Sequence, residues 1–201
     1  MKRQYGFYLD SDNCTGCNAC AIACKDKNNL PQGVLWRRTY EIEGGRYEKH
    51  GSAFMQNVCV FFITMSCNHC QNPTCVMACP FGALEKRDVD GLVAVDIEKC
   101  KGCKKCINSC PYGSLYTNKD SGKIGKCNGC LDLQNQGEAP ACISACPMRA
   151  LEFGPIEELT SKHPDAVPLD QIIPKDECTL PSFLVKPHRS DVKNRPNSSG
   201  E

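Results

Sequence analysis

The sequence lacks the features that would place a substrate site or a membrane span in this chain. It contains no G-x-G-x-x-G segment, no phosphate-binding loop and no nucleophile motif. Its longest apolar run, Val58 to Met65, is far shorter than the about 20 residues that a membrane-spanning helix requires. We therefore expect a chain that has no catalytic residues of its own and does not cross a bilayer.

Charge and apolar content are also limited. The formal net charge of the 201 residues is +1, which gives no argument for nucleic acid as a partner. Hydrophobic residues make up 41% of the chain, but this figure includes 18 cysteines. Without the cysteines the apolar share is roughly a third, which is lean for a globular core. Small folds with a lean core usually rely on metals or disulfides.

A secreted disulfide framework is one way to use eighteen cysteines. An export signal would favour it, but residues 1–7 have no apolar h-region of the kind that a signal peptide requires. Disulfides also do not explain the spacing of the cysteines, which repeats four times. We therefore favour a metal-based interpretation.

Four cysteine motifs account for sixteen of the eighteen cysteines. In chain order they are Cys14, Cys17, Cys20 and Cys24; Cys67, Cys70, Cys75 and Cys79; Cys100, Cys103, Cys106 and Cys110; and Cys127, Cys130, Cys142 and Cys146. Motif three has the spacing C-x2-C-x2-C-x3-C followed by proline. In bacterial ferredoxins this spacing binds a [4Fe-4S] cluster through three thiolates, and the fourth cysteine reaches a neighbouring cluster. The four motifs predict four [4Fe-4S] clusters.

Structural zinc is the alternative, since four thiolates that include a C-x2-C knuckle also suit a tetrahedral zinc site. Zinc sites usually combine two such knuckles per metal, whereas motifs one and three place three cysteines within seven residues. Iron and sulfide fit this pattern better. Motif four, with eleven residues between its second and third cysteines, is the weakest case on its own.

The order of motifs and short strands predicts an α+β fold with two ferredoxin-like units. Residues 67–116 run as cluster motif, strand, turn, strand and cluster motif, and they resemble a two-cluster bacterial ferredoxin. Segment 150–152 follows motif four as segment 83–85 follows motif two. The strand-like segment 5–10 precedes motif one as segment 92–96 precedes motif three. Motifs one and four should therefore pair, so that one 2[4Fe-4S] unit is inserted within the other.

This arrangement predicts four regions. The outer unit comprises residues 1–33 and 117–163, and the inner unit comprises residues 67–116. Residues 34–66 predict a β-hairpin insertion, with Gly44-Gly45 between two extended segments. Residues 164–201 are rich in Pro, Ser and Asp and predict an extended tail that binds a partner or is disordered.

The ferredoxin exchange of fourth cysteines, applied within each pair of motifs, predicts the ligands of every cluster. They are Cys14, Cys17, Cys20 and Cys146 for cluster A; Cys127, Cys130, Cys142 and Cys24 for cluster B; Cys67, Cys70, Cys75 and Cys110 for cluster C; and Cys100, Cys103, Cys106 and Cys79 for cluster D. Because each exchange holds two clusters close together, the chain is expected to conduct electrons.

Three further residues have no assigned ligand role. Cys59 lies in an apolar segment and is expected to be a small buried hydrophobe, and Cys178 is expected to be an incidental thiol. His69 lies between two cysteines of motif two, where it could tune a cluster or carry protons. A local hydrogen bond donated by the histidine is the more common case.

Up to about residue 160 the sequence resembles the four-cluster electron-transfer subunits of molybdopterin oxidoreductases, and among them the B subunits of the dimethyl sulfoxide reductase type. The segments that carry the resemblance include Cys14-Thr15-Gly16-Cys17, Cys67-Asn68-His69-Cys70, Cys110-Pro111-Tyr112-Gly113 and residues 150–156. The resemblance implies a relay subunit in anaerobic respiration. Its implied partners are a molybdopterin-containing catalytic subunit and an integral membrane anchor that oxidises quinol. It also supports the cluster pairings.

One position distinguishes this chain from the related nitrate reductase subunit. That subunit has an aromatic residue at the second ligand position of motif three and a three-iron cluster there. This chain has Cys103, so four complete [4Fe-4S] clusters are expected. A stand-alone polyferredoxin is the alternative function. The resemblance implies a peripheral location at the cytoplasmic membrane, either on the cytoplasmic side or exported in the folded state with a partner that carries a twin-arginine signal.

Overall fold

The structure, a computed structural model, describes residues 3–173 and 178–190. The helices are α1 (Ala19–Lys27), α2 (Thr74–Met77), α3 (Lys105–Ser109), α4 (Leu131–Gln134), α5 (Ala141–Ser144), α6 (Ile156–Lys162) and α7 (Leu169–Ile172). The strands are β1 (Tyr5–Asp10), β2 (Arg38–Gly44), β3 (Tyr47–His50), β4 (Ala53–Gln56), β5 (Cys59–Met65), β6 (Leu84–Lys86), β7 (Val93–Val95), β8 (Tyr116–Thr117), β9 (Ile124–Gly125), β10 (Leu151–Pro155), β11 (Val167–Pro168) and β12 (Phe183–Lys186). In the described ranges, no helix has the length and apolar character needed to span a membrane.

Two strand pairs of the same design lie far apart in the sequence. In the inner segment, β6 pairs antiparallel with β7, and Leu84 faces Val95. In the outer segments, β1 pairs antiparallel with β10, and Leu9 faces Leu151. Both pairs cover buried apolar side chains beside a cysteine motif, and together with short helices they form a mixed α/β structure.

The backbone hydrogen bonds next to the strand pairs β6–β7 and β1–β10 also repeat. The amide of Asp96 donates to the carbonyl of Ala83 at 2.7 Å, and the amide of Asp10 donates to the carbonyl of Ala150 at 2.8 Å. Each aspartate carbonyl then accepts from the amide of the first cysteine of a motif, at 3.2 Å in both cases. The same backbone geometry therefore leads into motif one and motif three.

The segment between motifs one and two forms two nested strand pairs. Strand β2 pairs with β5 along its full length, and β3 pairs with β4 through the two-residue loop at Gly51-Ser52. Gly51 has a φ of +62°, as tight hairpin loops favour. The chain therefore turns back at Gly51, and Gly44-Gly45 is the passage from β2 to β3. Alternate residues of β5, namely Phe61, Ile63 and Met65, are buried against the core.

Within the expected extended tail, residues 167–172 and 183–186 form regular secondary structure. Strand β12 lies parallel to β1 in a four-stranded sheet of order β10-β1-β12-β11, and Phe183 and Val185 are fully buried. Leu169 of α7 is fully buried as well. Composition misleads here, because the many Pro and Ser residues surround a short apolar run that a central strand position can bury on both faces. Residues 191–201, where disorder was expected, lie outside the described residues.

Three apolar clusters are buried in the described residues, and the smallest consists of Tyr8, Leu159 and Leu184. The first contains side chains of β1, β5, β10 and β12 together with cysteines of motifs one, two and four. The second contains Ala83, Leu84, Val93 and Leu115 of the inner segment with cysteines of motifs two and three. Ile124 of β9 also packs in the second cluster, so the β8–β9 hairpin crosses the predicted boundary at residue 117.

Truncating the fully buried Phe183 tests the role of β12. The Phe183→Ala substitution is expected to lower the free energy of unfolding by about 3–5 kcal/mol because it leaves a cavity in the core. Anaerobic urea unfolding followed by circular dichroism measures the change. The exposed control Val89→Ala should stay within about 0.5 kcal/mol of the parent protein. Equal midpoints for the parent protein and Phe183→Ala would show that β12 is dispensable.

Candidate metal centres

Two open cavities are each lined by four cysteines. Cys14, Cys17, Cys20 and Cys146 line a cavity with about 320 Å³ of empty volume. Cys79, Cys100, Cys103 and Cys106 line another of about 280 Å³. These groups are the cysteines predicted for clusters A and D, and we call them set A and set D. In each of them, one cysteine comes from a different motif than the other three.

The cysteines predicted for cluster B, set B, are gathered in the interior. The pKa of Cys24 is raised to about 12, mainly by burial and also by the nearby thiols of Cys127, Cys142 and Cys130, against an opposing effect of Arg37. All four side chains are buried. Helix α1 carries Cys24 one turn after Cys20 and packs against α5, which carries Cys142. This packing brings a motif-one cysteine to the motif-four thiols.

Set C, the cysteines predicted for cluster C, is less completely buried, since Cys67 and Cys75 are buried and Cys70 and Cys110 are half-buried. The pKa of Cys70 is raised to about 12, mainly by burial and also by the thiols of Cys67, Cys110 and Cys75. Helix α2 carries Cys75 and packs against α3, whose C-cap is Cys110. The structure therefore brings all sixteen predicted cysteines into the four predicted groups.

The loops that carry the cysteines repeat in their backbone conformation. In motif one, Gly16 and Asn18 have φ of +69° and +62°, and in motif three, Gly102 and Lys104 have +68° and +62°. A side chain at Gly16 would be strained by this φ, and its Cβ would lie 2.6 Å from the ring of Phe62. Motifs one and three thus share one turn that wraps three sulfurs around a common space.

Motifs two and four share a different arrangement. In each, the third cysteine is the second residue of a four-residue helix whose N-cap is a proline, with Cys75 in α2 after Pro73 and Cys142 in α5 after Pro140. The closing C-x3-C-P segments then lead into β6 and β10. In local structure, motif one therefore resembles motif three, and motif two resembles motif four.

Backbone amides point at several of the sulfurs. Ala83 and Ala150 donate at 3.3 Å to the Sγ atoms of Cys79 and Cys146, which occupy equivalent positions. Burial opposes ionisation of Cys79, but hydrogen bonds from the amides of residues 81–84 outweigh it and lower the pKa of this thiol. Such amides stabilise thiolates, and hydrogen bonds to sulfur are one of the factors that set the potential of an iron-sulfur cluster.

The donor set fits an iron-sulfur cluster. Each site offers four thiols around a shared space, which matches the four iron corners of a [4Fe-4S] cube. The buried hydroxyl of Thr39, whose Oγ1 has no hydrogen-bond partner among the described residues, lines the cavity of set A and could donate to sulfide or thiolate there. Among residues 3–173 and 178–190, no group of three or more His, Cys, Asp or Glu side chains is placed to hold a single metal ion.

His69 lies at the junction of the inner and outer segments and is fully buried. Its Nδ1 accepts a hydrogen bond from the amide of Val93 at 3.0 Å, so the ring does not donate through this atom as expected. Burial lowers the pKa of His69 well below its usual value, and the nearby Lys126, Lys86 and Arg37 lower it further. The ring is therefore neutral, with its proton on Nε2.

The two remaining cysteines lie outside the four sets. Cys59, at the start of β5, is half-buried, and its Sγ lies 3.3 Å from the carbonyl of Ser190, which accepts the hydrogen bond. Cys178 is exposed. Nothing in the sequence singles out Arg37, although its side chain is almost fully buried beside the cysteine sets.

Comparison with known proteins agrees with this geometry. A family model described as a 4Fe-4S dicluster domain matches residues 58–156, and a 4Fe-4S binding domain model matches residues 11–27. The B subunit of the anaerobic dimethyl sulfoxide reductase of Escherichia coli (strain K12) is 44% identical over 188 residues, which cover 94% of this chain and 91% of that protein. The chain thus belongs to this family of iron-sulfur B subunits.

Other members of the family are similar over most of their length. The thiosulfate reductase electron transfer subunit PhsB of Salmonella typhi is 38% identical over 79% of this chain and 79% of its own length. The B subunit of the polysulfide reductase of Wolinella succinogenes is 36% identical over 81% of this chain and 82% of its own. The predicted family membership is thereby confirmed, and the chain is a non-catalytic electron-transfer subunit of an anaerobic respiratory reductase that binds [4Fe-4S] clusters.

Removing the clusters should unfold much of the chain. The helices in the described ranges have only four to nine residues, too few to persist without tertiary contacts, and the loops between them converge on the cysteines. After oxidation and chelation of the iron, far-UV circular dichroism should show a large loss of secondary structure. The chelator without oxidant is the control. An iron-free chain with the spectrum of the loaded protein would contradict this dependence.

Proposed function

We propose that this subunit holds four [4Fe-4S] clusters, one in each of sets A to D, and conducts electrons through them. The observation that carries the proposal is the grouping of the sixteen cysteines into four sets, each with one cysteine from the other motif of its pair. The clusters supply one-electron carriers. The protein supplies the thiolates, the amide hydrogen bonds and a fixed distance between neighbouring sites.

Contacts between sets support the order A, B, C, D along the path. The thiol of Cys20 in set A contributes to the raised pKa of Cys142 in set B, although burial is the main cause. In the same way, Cys127 of set B acts on Cys67 of set C, and Cys106 of set D acts on Cys75 of set C. Each neighbouring pair of sets therefore contains cysteines that lie near one another, as an electron relay would require.

The ends of this path lie at the surface. Among the sixteen cysteines, Cys17 of set A and Cys103 of set D are exposed, whereas every cysteine of set B is buried. Sets A and D are thus the places where a donor and an acceptor can approach. The middle of the path is insulated from solvent and from other redox proteins.

The partners follow from the family. We infer that one end faces a molybdopterin-containing catalytic subunit and the other an integral membrane anchor that oxidises quinol, which places the subunit at the periphery of the cytoplasmic membrane. The names of the relatives refer to dimethyl sulfoxide, thiosulfate and polysulfide reductases. Reductases named for different substrates have a subunit of this type, so we infer that the catalytic subunit selects the substrate. The 44% identity favours the dimethyl sulfoxide type.

We further propose the nested domain arrangement. Residues 67–116 would form the inner unit with clusters C and D, and residues 1–33 with 117–163 the outer unit with clusters A and B. The repeated strand pairs and loop conformations support this division. Residues 34–66 would form a β-rich insertion, and the described part of the tail from residue 164 would pack against the outer unit. Strand β12 pairs with β1, and Ser182 also donates from its amide to the carbonyl of Asn68 in motif two.

A stand-alone polyferredoxin is the second candidate, and the two surface-exposed ends of the path are compatible with it. Gentle solubilisation of membranes and affinity purification of the tagged protein distinguish the two functions. A respiratory relay should copurify in equal amount with a molybdenum-containing subunit and a membrane subunit. A protein isolated alone, fully loaded and active with soluble donors, would support the polyferredoxin.

Iron and acid-labile sulfide analysis tests the cluster number, with about sixteen of each expected per chain, four for every cluster. The Cys103→Ser substitution should damage only the cluster of set D. The iron content should therefore fall by about one to four atoms per chain, while the signals of the other three clusters persist. Electron transfer through the subunit should also slow. Cys178→Ser is the matched control and should keep its full iron content. A colourless protein that contains zinc would contradict the proposed electron-transfer function.

A further inference from the structure

Two buried cationic side chains lie between the cysteine sets. Arg37 is 1% exposed and Lys126 is 3% exposed. Burying a charge is costly unless an opposite charge or several hydrogen bonds compensate for it. No carboxylate in residues 3–173 or 178–190 forms an ion pair with either side chain. The protein itself therefore does not neutralise them.

Arg37 is held in place by neutral groups. Its Nη1 donates to the carbonyl of Thr64 at 3.3 Å and its Nη2 to Oγ of Ser66 at 3.2 Å, while its guanidinium carbon lies 4.5 Å from the ring centroid of Phe7. Its Nε has no hydrogen-bond partner among the described residues. The Oγ1 of Thr64 is in turn 3.3 Å from the Sγ of Cys20 in set A.

The charge of Arg37 acts on cysteines. Burial alone would lower the pKa of Arg37, but the thiolate positions of Cys142, Cys20, Cys127 and Cys24 outweigh burial and raise it. Three of these four cysteines belong to set B, and Cys20 belongs to set A. The guanidinium is therefore positioned mainly against set B.

Lys126 occupies the corresponding position beside set C. Its Nζ donates to the carbonyls of Val93 in β7 and of Cys127, the latter at 2.7 Å, and thereby connects the inner and outer segments. Burial raises the pKa of Cys67 and of Cys75, and Lys126 opposes this rise in both thiols. Its ammonium group thus faces two cysteines of set C.

We propose that Arg37 and Lys126 are permanent countercharges for clusters B and C and raise the reduction potentials of these two clusters. The inference rests on the proposed function, because it assumes clusters in sets B and C. A [4Fe-4S] cluster with four thiolates is anionic and gains a further negative charge when it is reduced. A fixed positive charge in a buried, weakly polar environment favours the reduced form.

The consequence concerns electron passage between the two units. Clusters B and C lie in the middle of the path and are the most buried, and burial of an anion by itself disfavours reduction. Without countercharges, an electron would meet a barrier at the crossing between the units. Arg37 and Lys126 lower this barrier without opening the site to water.

Redox titration of the purified complex, followed by electron paramagnetic resonance, tests the proposal. In Arg37→Gln and in Lys126→Gln, one cluster signal in each variant should become harder to reduce by roughly tenfold, which is about 59 mV for a one-electron couple. The shifted signal should differ between the two variants. Arg37→Lys retains the charge and should restore most of the parent midpoint. Arg46→Gln removes an arginine charge on the exposed hairpin, 78% exposed, and should leave all midpoints unchanged.

The iron and sulfide content of each variant separates this inference from the proposed function. Fewer than four clusters in the parent complex would refute the proposed function. Four clusters with unshifted midpoints in both glutamine variants would overturn the countercharge role and leave the proposed function intact. If Arg37→Gln fails to assemble, Arg37→Met, which fills a similar volume without a polar head, and Lys126→Gln decide the outcome by the same measurement.

Discussion

In each of the four cysteine sets, one cysteine comes from a different motif than the other three, and the proposed exchange of ligands would tie the chain together. Cys146 and Cys24 cross between motifs one and four, which more than 100 residues separate, and Cys110 and Cys79 cross between motifs two and three. Short helices bring them into place, since α1 packs on α5 and α2 on α3. Segments of four or five residues do not form stable helices alone. The cysteine sites and the fold therefore stabilise each other, and neither is expected to persist without the other.

Charge is the second constraint on this interior. The anionic clusters proposed for the four sets need compensation, which amides, hydroxyls and cations around the cysteines can provide. Much of this comes from the insertion between motifs one and two. The directly paired Thr39 and Thr64 both lie at the cavity of set A, and Arg37 precedes β2. The segment that a simple ferredoxin lacks thus provides part of the polar lining of the electron path.

The sequence predicts some of these features better than others. The equivalent segments around Leu84 and Leu151 predict the pairing of β1 with β10. Cysteine spacing is informative because cluster geometry imposes it. The position of β12 is not predictable in this way, because its three apolar residues lie in a proline-rich region and are buried only through pairing with β1. Arg37 gives no sequence signal either, since its burial results from packing between distant segments.

Anomalous diffraction at the iron absorption edge, recorded from crystals of the complex, tests the central claim most directly. The account predicts four separate iron clusters in this subunit, in contact with Cys146 at set A, Cys24 at set B, Cys110 at set C and Cys79 at set D. Single metal ions at these positions, or clusters whose four ligands all come from one motif, would contradict it.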